Sequence, residues 1–525
     1  MPLSSFGRPV RFSDASVCLD LSFLRSWLEV RLVETVPVSE KLTLDDYEAV
    51  GSLSASVQSL RAEARSLVPK LHGRKVWMVN STARGGGVAE MLPRMISIMR
   101  ELGVETEWLV IGSDKPEFFT LTKRLHNLIH GSGDPHLTSE DRAVYDSASQ
   151  ENADALRSRV QPSDLLVIHD PQPLGSGAIL RRALDVPAVF RCHIGLDESN
   201  QQTLAAWDFL KPDAECYDHA VFTARAYIPD FLLDKAAVIT PAIDPLGSKN
   251  RDLRATRLGG ILCNSGLTTT QHPVVSAEYP QMVTRLTPDG RFLPANQSGG
   301  IGLLFRPIVT QISRWDRLKG FKPLLDGFVQ MKERASRSGT GDEIHQRRLQ
   351  MVRLVLAGPE PAAVSDDPEA KEVLEELMSA YVNLPRLLQD DIALVSLPMS
   401  VRKNNELIVN ALQRCSSIVV QNSFQEGFGL TVTEAMWKQA ALLGSRACGI
   451  RQQIRDGVDG RLIQNPEDSE EIAMRLDELL QDVEGRVSLG QSAQRRVHDE
   501  FLVFSQVRNW LTTLGNCVQH WEAQH

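Results

Sequence analysis

Two glutamates bracket the segment EGFGLTVTE, Glu426 to Glu434. Between them Gly427 and Gly429 free the backbone to turn sharply and to come close to a ligand, and a helix is expected to begin near Leu430. The open N–H groups and the positive dipole end of such a helix favour an anion, for instance a diphosphate. Glu426 precedes the turn and Glu434 lies one helical turn inside, ~10 Å apart by the rise per residue. That span suits a ligand with hydroxyl pairs at both ends, one carboxylate accepting from each. A tight loop between two surface glutamates has the same letters, so the segment needs partners.

Positive charge is offered by SRWDRLKG, residues 313–320, which follows a predicted strand. Arg314 suits forked contact to phosphate, and Lys319 acts as a point charge. Taken alone, the pair also fits a solvated turn. A further strand–glycine loop–helix unit is STARGGGVAE, residues 81–90. It is neither GxGxxG nor a P-loop, yet Gly86 and Gly87 open a helix and offer N–H groups to a phosphate or a sugar. RCHIG, residues 191–195, ends another predicted strand and would point His193 into a cleft; HDPQPLG, residues 169–175, brings His169 and Asp170 to the same region. A hydrogen-bonded structural histidine is the competing explanation there.

The elements that must position these residues alternate strand and helix. KVWMVN (75–80), ETEWLVIG (105–112), DLLVIHD (164–170), PAVFRCHI (187–194), HAVFTA (219–224) and AAVITPAI (236–243) read as buried strands. A second series is PIVTQISRW (307–315), RLVLAG (353–358), DIALVSLPM (391–399), SSIVVQNS (416–423), ALLGSR (441–446) and GRLIQN (460–465). Helices are expected between them. In the first, from about Val88, the residues Val88, Leu92, Met95, Met99 and Leu102 form one apolar stripe. The fold class that follows is α/β: two Rossmann-like, doubly wound parallel sheets facing a central cleft.

The domain reading is a helix-leaning extension over 1–70 packed on the first domain, a first Rossmann-like domain over 71–245 and an irregular connection over 246–300. A second Rossmann-like domain follows over 301–500, and a terminal helix over 501–525.

The chain has 525 residues, 42% hydrophobic and 23% charged, which suits two cores of ordinary size. A net charge of −9 argues against nucleic acid as partner. Seven scattered cysteines without a CxxC point to reduced thiols rather than zinc or disulfides. No apolar run reaches a membrane span and no secretory signal opens the chain, so a cytoplasmic location without membrane contact is expected. No Asp-X-Asp, GxSxG or HExxH occurs, so no metal and no cofactor is expected.

Together, VNSTARGGGVAEML, HDPQPLG, RCHIG, PAIDPLGSKN, TQISRWDRLKG, VNALQRCSSIVVQNSFQEGFGLTVTEAMWK and GIRQQI resemble the trehalose glycosyltransferring synthases. These are retaining GT-B enzymes of glycosyltransferase family 4, related to the retaining trehalose phosphorylases. The resemblance runs in order from about Lys75 to Asn465. It implies that Arg314 and Lys319 hold the donor diphosphate. Glu434 would bind the ribose, and Glu426 the donor hexose together with the backbone of Gly427, Phe428, Gly429 and Leu430. Gly86 and Gly87 would approach the phosphates, and His193 would contact sugar hydroxyls near the reacting carbon. The implied catalytic set is His193, Arg314, Lys319 and Glu426, the substrates a nucleoside-diphosphate glucose and glucose, and the product α,α-trehalose. The resemblance further implies that 71–245 is the acceptor domain, that 301–500 is the sugar-nucleotide domain and that the terminal helix over 501–525 crosses back to the first domain; a homodimer is compatible with it.

Three positions depart from the family pattern. Gly195 stands where an Asp is common, Cys448 begins what is usually GGI, and Asn422 replaces a frequent Lys. The first two bear on which sugars are taken. A trehalose phosphorylase, the same chemistry with another sugar or polyol acceptor, and a non-catalytic sugar-nucleotide-binding protein are the competing functions.

Overall fold

A computed structural model of the chain describes residues 32–83, 86–269, 279–337, 342–360 and 368–524. The first sheet contains β1 (Val33–Thr35), β2 (Val76–Asn80), β3 (Thr106–Ile111), β4 (Leu165–His169), β5 (Ala188–Cys192), β6 (His219–Phe222) and β7 (Ala236–Val238). Their order is β1-β3-β2-β4-β5-β6-β7, parallel throughout except where β1 pairs with β3. Every residue of β2, β4 and β5 is buried. Continuous apolar runs such as LLVIH are what a strand covered by helices on both faces requires.

The second sheet contains β8 (Thr284–Leu286), β9 (Phe292–Pro294), β10 (Ile308–Ile312), β11 (Arg353–Pro359), β12 (Ile392–Leu397), β13 (Ile418–Gln421), β14 (Ala441–Ser445) and β15 (Arg461–Ile463). Its order is β15-β14-β13-β10-β11-β12-β8-β9. The chain winds outward from β10 to β12, then returns to the other side of β10 at β13. The neighbours β10 and β13 therefore flank the point where the order reverses, as β2 and β4 do in the first sheet. Ligands of open α/β sheets bind beyond the strand ends at such a reversal.

Three expectations change. The stretch before Lys75 is not purely helical: β1 joins the first sheet antiparallel at its edge, placing Val33 opposite Ile111. Three residues are too few to show a period of two. Residues 246–300 are more regular than expected. Helix Ala255–Asn264 and the β8–β9 hairpin pack on the second domain, burying Leu253, Ile261, Leu262, Val283 and Leu286. Glycine, threonine and proline around these apolar residues hid the pattern, and residues 270–278 lie outside the described ones. The first crossover helix starts at Gly86, two residues before Val88, so Gly86 and Gly87 form its first turn. The adjoining Arg84 and Gly85 lie outside the described residues.

Two passes of the chain join the domains side by side: Ile243 N–H donates to the Phe501 carbonyl at 2.9 Å, and Val503 N–H to the Ile243 carbonyl at 3.1 Å. After this pass, helix Val503–Gln524 lies on the first domain. Its Val507, Trp510, Leu511 and Leu514 share one core with Val57 and Leu60 of helix Gly51–Leu67 and with Met95 and Met99. Among the described residues no helix is long and apolar enough to cross a membrane. The described cysteines are all free thiols.

Candidate active site

The loop after β10 carries Arg314 and Lys319; the loop after β13 carries Glu426 to Gly429. Buried Gln311, near the end of β10, ties the two loops together. Its side-chain amide donates to the Lys319 carbonyl at 2.7 Å, and its oxygen accepts from Asn422 N–H at 3.0 Å. Asn422 is buried, and its side chain donates to the carbonyls of Gly320 and Pro466 at 3.1 and 2.8 Å. At this position Asn422 thus holds the two loops together.

Lys319 Nζ stands 2.9 Å from Glu426 Oε2, which also accepts from Ser423 Oγ at 3.2 Å. Arg314 is largely exposed, 3.4 Å from Asp316 Oδ2, and lies near His126 of the first domain. Gly429 has φ 83° and caps the helix Leu430–Trp437, a conformation that favours glycine. A Cβ on Gly449 would stand 2.5 Å from the backbone of Phe428, so GIRQQI packs directly beneath the turn. Buried Gln453 of that segment donates to the carbonyls of Phe428 and, at 2.9 Å, of Gly449.

Glu434, in that helix, is only 4% exposed. Burial pushes its carboxyl above the usual range, opposed by Lys249 and Lys438. Lys249 Nζ lies 3.8 Å from Glu434 and 3.0 Å from Glu90 of the first domain. Burial alone would lower Lys249, but Glu434 and Glu90 outweigh it and raise it. Lys438 donates to the Glu434 carbonyl at 2.9 Å and to Gln413 at 2.7 Å, and burial lowers it.

The two carboxylates of EGFGLTVTE face different spaces. Glu434 lines a cavity of about 540 Å³ with Glu90, Lys249, Arg402 and Glu406. Glu426 lines one of about 230 Å³ with His130, Asp197, Tyr227, Arg446 and Cys448. Between them lies the N-terminus of helix Leu430–Trp437. A Cβ on Gly87 would meet Leu430 Cδ1 at 3.6 Å, so the N-termini of two helices, one from each domain, meet there.

On the first domain, His169 and His193 stack with ring centroids 5.3 Å apart, and His169 Nδ1 lies 3.0 Å from His193 Nε2. Asp170, at φ 68°, accepts from His193 N–H at 2.8 Å. Behind them Arg191 is 1% exposed; one nitrogen donates to Thr223 Oγ1 at 3.1 Å, while Nε and Nη1 have no hydrogen-bond partner. Burial, then Arg191 and His169, holds His193 well below the ordinary histidine range, and its Nδ1 is buried without a partner. Burial also lifts Asp170 to about 6, against His193 N–H and Arg191, which lower it. His193 is thus a neutral imidazole whose free nitrogen lacks a hydrogen bond.

Sequence reasoning missed several residues. His126 and His130 form an edge-to-face pair 5.0 Å apart, and burial holds both below the usual range. A Cβ on Gly427 would lie 3.6 Å from the His130 ring, which donates to the Gly195 carbonyl. Their i, i+4 spacing in KRLHNLIHG was the available signal. Lys249 sits within the quoted PAIDPLGSKN, but only the fold brings it to Glu434. Tyr227 carried no signal. Among the described residues no group of three His, Cys, Asp or Glu is placed to hold a metal.

Comparison with known proteins agrees with this geometry. Residues 78–229 match the family described as "Trehalose synthase, N-terminal domain", and residues 305–496 match "Glycosyl transferases group 1". A trehalose synthase of Pyrococcus horikoshii is 31% identical over 481 residues, 91% of this chain and 97% of that protein. A trehalose phosphorylase of Grifola frondosa is 24% identical over 83% of this chain, which spans 56% of that protein. A UDP-forming α,α-trehalose-phosphate synthase of Burkholderia xenovorans, solved with glucose-6-phosphate, superposes with a TM-score of 0.59 at 16% identity. It covers 84% of this chain and 99% of its own, and the likeness extends to the fold alone. The two facing Rossmann-like sheets and the near full-length match therefore place the chain in the trehalose synthase family of GT-B glycosyltransferases.

Proposed function

We propose that the protein transfers glucose from a nucleoside-diphosphate glucose to free glucose with retention, giving α,α-trehalose. The carrying observation is the placement of Glu434 and Glu426 in two cavities on either side of a helix N-terminus, with Lys319 and Arg314 on the adjoining loop. In this reading the larger cavity takes the nucleoside, with Glu434 accepting from ribose hydroxyls. The diphosphate sits at the helix start with Gly87 opposite, and the hexose lies beside Glu426.

The donor C1–O bond breaks, and the leaving diphosphate keeps the electron pair. The acceptor hydroxyl forms the new bond to C1 on the same face, and its proton passes to the leaving phosphate. Arg314, Lys319 and the helix dipole stabilise the charge that develops, so the step requires no metal. His193 is neutral, its Nδ1 is buried and it lines neither of the two cavities, so in this reading contact with a sugar hydroxyl requires the cleft to rearrange around it. Its Nε2 is held by His169, which orients the ring.

The choice of a free sugar as acceptor rests on the likeness to trehalose synthases, and the groups around the smaller cavity are read as surrounding the donor hexose. Glu426 is paired with Lys319, Asp197 with Arg451 at 2.7 Å, and Arg446 is hydrogen-bonded to Gln464. The likeness to phosphorylases keeps phosphorolysis as the alternative, but a reaction without a nucleoside leaves buried Glu434 without a ligand. Incubation with nucleoside-diphosphate sugars, with and without glucose, separates them. Glucose-dependent release of nucleoside diphosphate supports transfer; turnover of trehalose only in inorganic phosphate, with none from any donor, contradicts it.

A further inference from the structure

The positions that depart from the family pattern at 195 and 448 converge on one side chain. Tyr227 ends the short turn Arg225–Tyr227 after β6 and is 3% exposed. A Cβ on Gly195 would lie 2.2 Å from its Cγ and 2.5 Å from its Cβ. The tyrosine ring therefore occupies the space into which any side chain at 195 would have to grow. Cys448 lies against the same residue, within side-chain hydrogen-bonding range.

The hydroxyl of Tyr227 reaches across the cleft. It donates to the Gly427 carbonyl at 3.0 Å and lies 3.3 Å from the Glu426 carbonyl. The Glu426 carbonyl also accepts from Gly449 N–H at 3.0 Å, so the turn is gripped from both domains. Close by, Arg451 of the second domain pairs with Asp197 of the first. All of this borders the 230 Å³ cavity, which is smaller than the ~300–1,000 Å³ of pockets that take drug-sized ligands.

We propose that Tyr227 is the residue that determines which sugar this cavity accepts: its ring limits the space to one unsubstituted hexose, and its hydroxyl fixes the turn that presents Glu426. The proposal rests on the sugar-transfer reading of the cleft. Tyr227 acts by shape and by positioning; it takes no part in bond making. A purely structural tyrosine would change stability and leave the choice of sugar alone.

The test uses the full-length protein and its Tyr227→Leu and Tyr227→Phe variants. Nucleoside-diphosphate binding is measured by calorimetry, and turnover onto glucose is measured with nucleoside-diphosphate glucose and nucleoside-diphosphate N-acetylglucosamine as donors. Leucine keeps an apolar filler and removes ring and hydroxyl. Tyr227→Leu is expected to bind nucleoside diphosphate within about twofold of wild type and to shift the donor preference about tenfold or more from the glucose donor toward the bulkier N-acetylglucosamine donor. Tyr227→Phe is expected to keep the preference and to lower kcat severalfold, because only the grip on the turn is lost. If Tyr227→Leu retains the wild-type preference while both variants melt as wild type, Tyr227 does not select the sugar. Should Tyr227→Leu fail to fold, Tyr227→Met decides, since it keeps a long apolar filler without the ring; an unchanged sugar preference there overturns the proposal. Wild-type protein that binds no nucleoside diphosphate would remove the underlying reading of the cleft, and this proposal with it.

Discussion

Lys249, on the segment that joins the domains, lies 3.8 Å from the Glu434 carboxylate and 3.0 Å from that of Glu90. One cation thus links a carboxylate of each domain at the wall of the larger cavity. Glu434 must be ionised to accept from two hydroxyls, and burial favours its neutral form. Besides Lys249, the charged groups facing it are Lys438, Glu90 and Glu406.

Removing Lys249 should therefore weaken nucleoside-diphosphate binding in a pH-dependent way. The carboxyl of Glu434 is raised above its ordinary value, so its charge is present at high pH and lost as pH falls through the raised pKa. Lys249→Met raises it further, which moves the loss of affinity to higher pH. Calorimetric titration should show about a tenfold weakening that grows as pH falls, with Lys249→Arg restoring most of it. A pH-independent loss would mean that Lys249 acts only through packing.

Arg314→Ala and Lys319→Ala should each reduce turnover by about 10²–10³-fold, the usual effect of removing one stabiliser of developing charge. Circular dichroism and the melting transition should stay close to wild type, because Arg314 is largely exposed and the fold does not rest on it. Lys319 is more enclosed, and its loss also frees Glu426 from its ion pair. Near-normal rates in either variant would remove that residue from the site.

Gly429 and Gly457 provide a matched pair, with φ of 83° and 75°. Alanine at either should cost about 1–2 kcal/mol of stability. Only Gly429→Ala should also reduce activity, by tenfold or more, because its Cβ would lie 3.0 Å from Glu426 Cγ. Denaturant titration with parallel rate measurements checks this. Equal loss of activity in both variants would show a general effect of destabilisation.

Asp170 makes a prediction about stability and pH. Its carboxyl is raised by burial to about 6, so the folded protein binds its proton more tightly than the unfolded chain. That contribution is fully present below the ordinary carboxylate range and is lost as pH rises toward about 6. Asp170→Asn should flatten the stability profile across this window and melt higher than wild type at about pH 8. An unchanged slope would show that Asp170 is ionised throughout.

The parts of the fold that were legible are those where one physical demand dominates. β2, β4 and β13 are buried throughout and apolar up to their last residue because both faces are covered, and such runs stand out in any sequence. Arg314, Lys319, Glu426 and Glu434 were legible because loop, charge and glycine spacing occur together over short stretches. Tyr227 and Lys249 were not, since each matters through a contact about 200 residues away along the chain. Arg191 was equally hidden: an arginine in an apolar strand has meaning only once Thr223 and His193 are seen around it. β1 and the two strands of the β8–β9 hairpin have three residues each, too short for alternation to register.

The central claim is transfer of glucose between a nucleotide and a free sugar, and proton NMR of one reaction tests it most directly. With a nucleoside-diphosphate glucose and glucose present, a non-reducing disaccharide should accumulate with a single anomeric signal of α configuration, matched mole for mole by nucleoside diphosphate. A donor that remains intact with glucose, while trehalose in phosphate yields glucose 1-phosphate, would contradict it.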